Sequence, residues 1–291
     1  MTADALQIAV DAIPGRRRWS RPVWLTMPAI VGASVVVLWI VVALTVPLWA
    51  PYDPLQPVGN RLAEPSLSHP LGTDNLGRDV FTRTMYGSRT ALPIAAMVII
   101  GSVAVGGAIG TLSGFVGGWL DAFLMRFADM TLAFPAILLA ITVTAYLGRE
   151  LQNIMIAIIV VSWPVYARLL RAQVLVVREF QFVEAANSLG ASQARVLLRH
   201  IMPTAITPIL ITATMDFGQV ILLAAALSFI GLGAKPPTPE WGVMITDGSR
   251  FFYQWWIAAG PGLAILSVAL AANFVGDGIR DGLDPRTREH R

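Results

Sequence analysis

The sequence predicts an all-α membrane protein with six transmembrane helices, and three observations carry that prediction. Hydrophobic residues make up 55% of the 291-residue chain and charged residues only 13%, about half the charge of an average soluble domain. The apolar residues gather into six runs, each long enough for the roughly 20 helical residues that a bilayer core of about 30 Å requires. The basic residues lie in the short segments between runs, as membrane topology demands, and form no stripe that would bind nucleic acid.

The first run, Leu25 to Ala50, follows Arg16, Arg17, Arg18 and Arg21. It is too long for the apolar region of a secretory signal and reads as a retained anchor behind a cytoplasmic segment, 1–24. Residues 51–89 form an extracytoplasmic loop whose prolines and glycines keep it from being helical throughout. The second run, Thr90 to Phe115, is rich in glycine, which inside a membrane means close helix packing. Leu120 to Leu147 is the third, interrupted by charge near Arg126; Leu151 to Leu170 is the fourth, Ala205 to Leu232 the fifth and Trp256 to Val275 the sixth. Residues 90–276 thus form a five-span unit containing a polar loop at 178–204, and 277–291 form a tail. With the N-terminus inside, about 13 basic residues fall on the cytoplasmic side and about 7 outside, so both termini are predicted to be cytoplasmic. Trp241, Phe251, Phe252, Tyr253, Trp255 and Trp256 resemble an outer interfacial belt.

Several chemistries are excluded. No cysteine is present, so there is no disulfide, thiolate nucleophile or Cys-type zinc site. A phosphate-cradling Gly-x-x-x-x-Gly-Lys-Ser/Thr loop is missing, since the single lysine, Lys235, sits in "GAKPPT". His69, His200 and His290 lack metal-binding spacing, and no metal is expected. His200 reads as a helix-end residue near the last carbonyls. Asp53 and Asp277 could suggest an intramembrane aspartyl protease, but the topology puts them on opposite faces, where they cannot share a proton.

Ionisable residues inside runs include Arg126, Asp129 and Asp216, with Asp121 about two turns before Asp129. Arg126 and Asp129 are three apart, hence on one helix face, and are expected to pair either as part of a pathway or as a neutralised pair near the inner surface. Asp216 has only Gln219 nearby in its own helix; it either lines a route through the membrane or bonds a neighbouring helix.

The stretch "FVEAANSLGASQARVLLRHIMP", residues 182–203, differs from everything around it. Val183 to Leu189 reads as a short helix that Gly190 ends in the left-handed conformation. Ser192 is placed to cap a second helix, with Val196, Leu197 and Ile201 as its apolar stripe and Arg195 and Arg199 as its polar one. Ala185 and Ala186 lack bulk and Glu184 offers a charge, so the elbow is either a connector lying on the inner leaflet or a docking element for a cytoplasmic partner.

Glu184, Ala185, Ala186, Gly190 and "HIMP" ending at Pro203 resemble the EAA loop of ABC-importer permeases, with Met202 where leucine is usual. "HPLGTDNLGRDVFTR" (69–83), "GGWLDAFLMRFADMTLAFP" (117–135), "LSFIGLGAKPPTPEWG" (227–242) and "NFVGDGIRDGLDPR" (273–286) narrow the resemblance to the C-type permease subunit of oligopeptide and dipeptide importers, in the peptide/nickel group. Ala224 departs from the intramembrane glutamate of many relatives, so no role of that acid carries over.

The resemblance implies a type I ABC importer permease fold in a bacterial plasma membrane. The partners it implies are a B-type permease subunit, one or two ABC ATPase subunits that bind ATP and Mg, an external substrate-binding protein and a peptide cargo. It assigns ATPase coupling to Glu184, Ala185, Ala186, Gly190, Arg195 and Pro203, and no catalytic residue or cofactor to this chain. Nickel complexes or glutathione are the alternative cargo. A secondary transporter or channel, and a purely structural subunit, are the rival classes. The "GTDNLGRD" loop is expected either to pack on the spans or to touch the binding protein.

Overall fold

The computed structural model describes residues 27–235 and 237–283. The arginines flanking the first run and those of the tail beyond 283 lie outside the described residues. Among the described residues the regular elements are helices, with one isolated antiparallel bridge between Thr73 and Asp79.

Helix α1, Met27–Trp49, leads to an irregular segment and then to α2, Val80–Val116. The helix therefore begins ten residues before the predicted run, and residues 80–89 are not loop. The cause is local: the Asp79 carboxylate accepts from the backbone N–H of Thr82 and caps the helix outside the apolar stretch. The third run is not one straight helix either. It is α3, Gly118–Leu132, and α4, Ala136–Leu147, bent by 91°. Pro135 supplies no N–H and disfavours helical geometry at Phe134, so a continuous apolar run is broken.

Helix α5, Leu151–Val177, outlasts its predicted span and carries the chain to α6, Gln181–Ser188. The return path is a helical turn, α7 (Gln193–Arg195), a π-type widening over Val196–Ile201, and the turn α8, Met202–Ala205. Pro203 explains the widening, since its missing N–H leaves the ordinary helical bond unmade. Helix α9, Thr207–Leu227, ends in a second widened turn, Ser228–Leu232, where Gly231 has φ +89°. The short helix α10, Trp241–Ser249, and the last span α11, Trp256–Leu283, complete the fold.

Lipid tails are as apolar as leucine, so spans hold together by close packing and hydrogen bonds. Helices α2 and α5 do so through Gly106, Gly110 and Gly114. A β-carbon at Gly106 would collide with the Trp163 carbonyl, one at Gly110 with the Ala167 carbonyl, and one at Gly114 would lie 2.9 Å from the Arg171 carbonyl. Three glycines at a spacing of four thus meet three backbone positions at the same spacing. Gly218 lies on Ala269 and Gly276 on Met215, joining α9 to α11, while Gly32 brings α1 onto Ala271 and Phe274 of α11. Trp39 Nε1 also donates to Ser267 Oγ at 2.9 Å. The core so enclosed contains Ala95, Val98, Ile158, Leu227, Trp241 and Val268, all buried.

Candidate functional site

The segment between α5 and α9 folds as a two-helix elbow. Gly190 has φ +77°, a conformation glycine adopts without strain. The Gly190 N–H donates to the Asn187 carbonyl at 2.9 Å and the Ala191 N–H to the Ala186 carbonyl at 3.1 Å. These are the paired bonds of a Schellman ending, which satisfy carbonyls that the end of α6 would leave bare. Ser192 then accepts from the Arg195 N–H at 3.4 Å. Both the glycine stop and the serine cap fall where the sequence puts them.

The elbow has an attached face and a free one. Val183, Ala186, Val196 and Ile201 are buried in a cluster with Tyr166, Leu170, Val174 and Val177 of α5 and with Ala205 and Ile209. Glu184, Ala185, Gly190, Arg195, Arg199 and Pro203 are exposed. One correction follows: Ala186, read from sequence as part of the approachable small-residue surface, is 8% exposed and faces the α5 cluster. Its neighbour Ala185 is the open position, because successive residues on a helix point about 100° apart.

The predicted Arg126–Asp129 pair does not form. Asp129 Oδ1 lies 3.8 Å from Arg168 Nη1 of α5, with both side chains more than half exposed, and Arg126 has no ion pair among the described residues. The stronger link is one that spacing within a single helix could not reveal. Asp121 of α3 receives Arg171 Nε at 2.5 Å and Nη2 at 2.7 Å, and also bonds the Ser113 hydroxyl. This bidentate pair joins the start of α3 to α5. Nearby, Arg178 Nη1 donates to the Gly114 carbonyl at 3.3 Å. Asp216 bonds a neighbouring helix: the Tyr166 hydroxyl of α5 donates to its Oδ2 at 2.7 Å, and Gln219 is exposed.

At the opposite end, residues of "GTDNLGRDVFTR" and "PEWG" lock together. Asp74 accepts from the backbone N–H groups of Leu76 and Arg78 and from Arg78 Nε at 2.7 Å, with Arg83 Nε 3.6 Å away. Arg83 Nη1 donates to the Pro54 carbonyl at 2.7 Å and the Pro237 carbonyl at 3.3 Å. His69 Nδ1 lies 2.9 Å from Asp79 Oδ1. Trp241 Nε1 donates to the Thr84 carbonyl at 2.8 Å while its ring covers Gly87. The Glu240 carboxylate caps α10 by accepting from Gly242 and Val243. Burial raises its proton affinity, and those N–H donors and the Ser228 hydroxyl oppose the shift. The segment between α1 and α2 is thus ordered and packed on the helices.

Neither end offers a group of side chains suited to a metal, and among the described residues none of the His, Asp and Glu clusters could hold one. The chain is similar to known membrane transport proteins over most of its length. A family model described as binding-protein-dependent transport system inner membrane component matches residues 106–289. The chain is 43% identical over 263 residues to the dipeptide transport system permease protein DppC of Alkalihalophilus pseudofirmus, covering 89% of this chain and 86% of that one. It is 41% identical to the probable D,D-dipeptide transport system permease protein DdpC of Escherichia coli, covering 88% and 87%. Against the glutathione transport system permease protein GsiD of Pectobacterium atrosepticum it is 39% identical, covering 94% and 92%. Among solved structures, an amino acid ABC transporter crystallised with histidines aligns with a TM-score of 0.51 at 16% identity, over 67% of this chain and 89% of that one, a likeness of fold.

Proposed function

Since the chain belongs to the family of binding-protein-dependent transport system inner membrane components, we propose that it carries oligopeptides or dipeptides across the membrane as one permease of an ATP-driven importer. It is a multi-pass inner membrane protein and a permease subunit, not an ATPase, and its family works with a partner permease, an ATPase and a binding protein. For this chain the assembly is a heterodimer with a B-type permease, one or two ABC ATPase subunits holding ATP and Mg, and an external binding protein. Both termini lie in the cytoplasm, and the elbow of α6 to α8 is the surface on which the ATPase docks.

The observation that carries the docking role is the split character of the elbow. Its inner face is fixed to α5 and α9 by buried Val183, Ala186, Val196 and Ile201, while Glu184, Ala185 and Arg195 stand exposed. A push on the exposed face therefore moves the membrane helices with it. ATP-driven closure of the ATPase pair would draw this elbow toward its counterpart on the partner permease, and a bias of a few kcal/mol suffices to invert a two-state equilibrium between inward-open and outward-open forms. The chain itself performs no bond chemistry.

Dipeptides and glutathione, itself a short peptide, are named for relatives of similar identity, so glutathione is the second reading for cargo. Glu184→Arg tests the docking role in reconstituted complex. The expected result is normal membrane insertion with ATP-driven uptake reduced at least about tenfold, the range seen when one interfacial charge is reversed. Normal uptake would contradict the docking role.

A further inference from the structure

The chain enters the elbow through α5 and leaves it through α9, so a force on the elbow could either move those helices together or merely splay them. Tyr166 lies eleven residues before Val177, the end of α5, and Asp216 lies eleven residues after Ala205, the end of α8. Each separation is about 16 Å of helix. Below this level one apolar cluster sets Leu170, Val174 and Val177 of α5 against Ile201 and Ala205 of the elbow and Ile209 of α9. At its membrane end the cluster is closed by the Tyr166 hydroxyl on Asp216 Oδ2, 2.7 Å apart. Tyr166 is 1% exposed. Gly106 of α2 packs against the Tyr166 Cβ, and Met215, next to Asp216, packs on Gly276 of α11. Four helices therefore meet at this bond.

We infer that the Tyr166–Asp216 hydrogen bond is a positioning tie, holding α5 to α9 so that movement of the elbow reaches α2 and α11 as one rigid displacement. This rests on the permease reading above. A carboxylate in an apolar span is costly unless bonded, and here its partner lies on the one other helix that the elbow would have to move.

The test uses the complete complex, in proteoliposomes containing ATP, with labelled dialanine as the probe. Tyr166→Phe and Asp216→Ala should each keep the complex assembled and hydrolysing ATP while raising the ATP consumed per dialanine taken up about tenfold, as expected when one coupling contact is lost. The double variant should be no worse than either single one, and Asp216→Asn, which keeps an acceptor, should restore most of the coupling. Additive losses, or a wild-type ratio in Tyr166→Phe, would overturn the tie.

A second readout is independent of cargo. Because the chain has no cysteine, Val176→Cys and Leu210→Cys place two spin labels on the exposed faces of α5 and α9. Their distance distribution should broaden in Tyr166→Phe, and an unchanged width would overturn the tie. If the unsubstituted complex takes up no dialanine, the cargo reading fails, and the label distances still decide the tie.

Discussion

At one end of the molecule, Asp74, Arg78 and Arg83 are each less than 5% exposed and bond one another and the surrounding carbonyls. At the opposite end, Glu184 and Arg195 are exposed, and the elbow is held mainly by backbone bonds and one apolar face. Both ends carry motifs that a family resemblance marks as special, yet they use polar residues in opposite ways. Where the charged groups are paired internally, the residues build structure. Where they are held out on a rigid base, they are free for a partner.

The largest test of this contrast is Asp74→Ala. It leaves two buried guanidinium groups short of their carboxylate, a loss of about 3–5 kcal/mol. The expected outcome is a sharp drop in the amount of folded protein recovered from membranes and in its thermal midpoint; a wild-type midpoint would break the contrast. Two glycines with positive φ sharpen it. Gly72, at φ +63°, would place a β-carbon 2.5 Å from the Ala63 carbonyl and against the Trp256 ring, whereas Gly190 has nothing within 4 Å. Gly72→Ala therefore incurs backbone strain and overpacking, about 2–4 kcal/mol together, and Gly190→Ala strain alone, about 1–2 kcal/mol. Thermal unfolding of the two variants side by side should rank them in that order. Ser192→Ala is the smallest, about 0.5 kcal/mol for an exposed cap with a 3.4 Å bond, measurable as faster amide exchange over residues 193–196.

Five of the six apolar runs, the glycine-rich face of the second and the Gly190–Ser192 elbow were legible in the sequence because each is written in residues close together in the chain. What spacing missed depends on the fold. The α2 start at Val80 was hidden because hydropathy is blind to the Asp79 cap. The 91° break at Pro135 was hidden by continuous hydrophobicity on either side. Asp121 with Arg171, and Asp216 with Tyr166, pair across 50 residues, whereas the i, i+3 argument for Arg126 and Asp129 considered only one helix. Ala186 faced inward for a similar reason, since the cluster that claims it is built mainly by α5 and the return path to α9.

The central claim is that the exposed face of the elbow is the seat of the ATPase. In a chain without cysteine, Ala185→Cys introduces a single thiol on that face, and its rate of maleimide labelling measures access directly. The account predicts rapid labelling of the permease pair alone and protection of at least about tenfold once the ATPase subunits are bound, as burial beneath a specific interface requires. Equal labelling with and without the ATPase would contradict it.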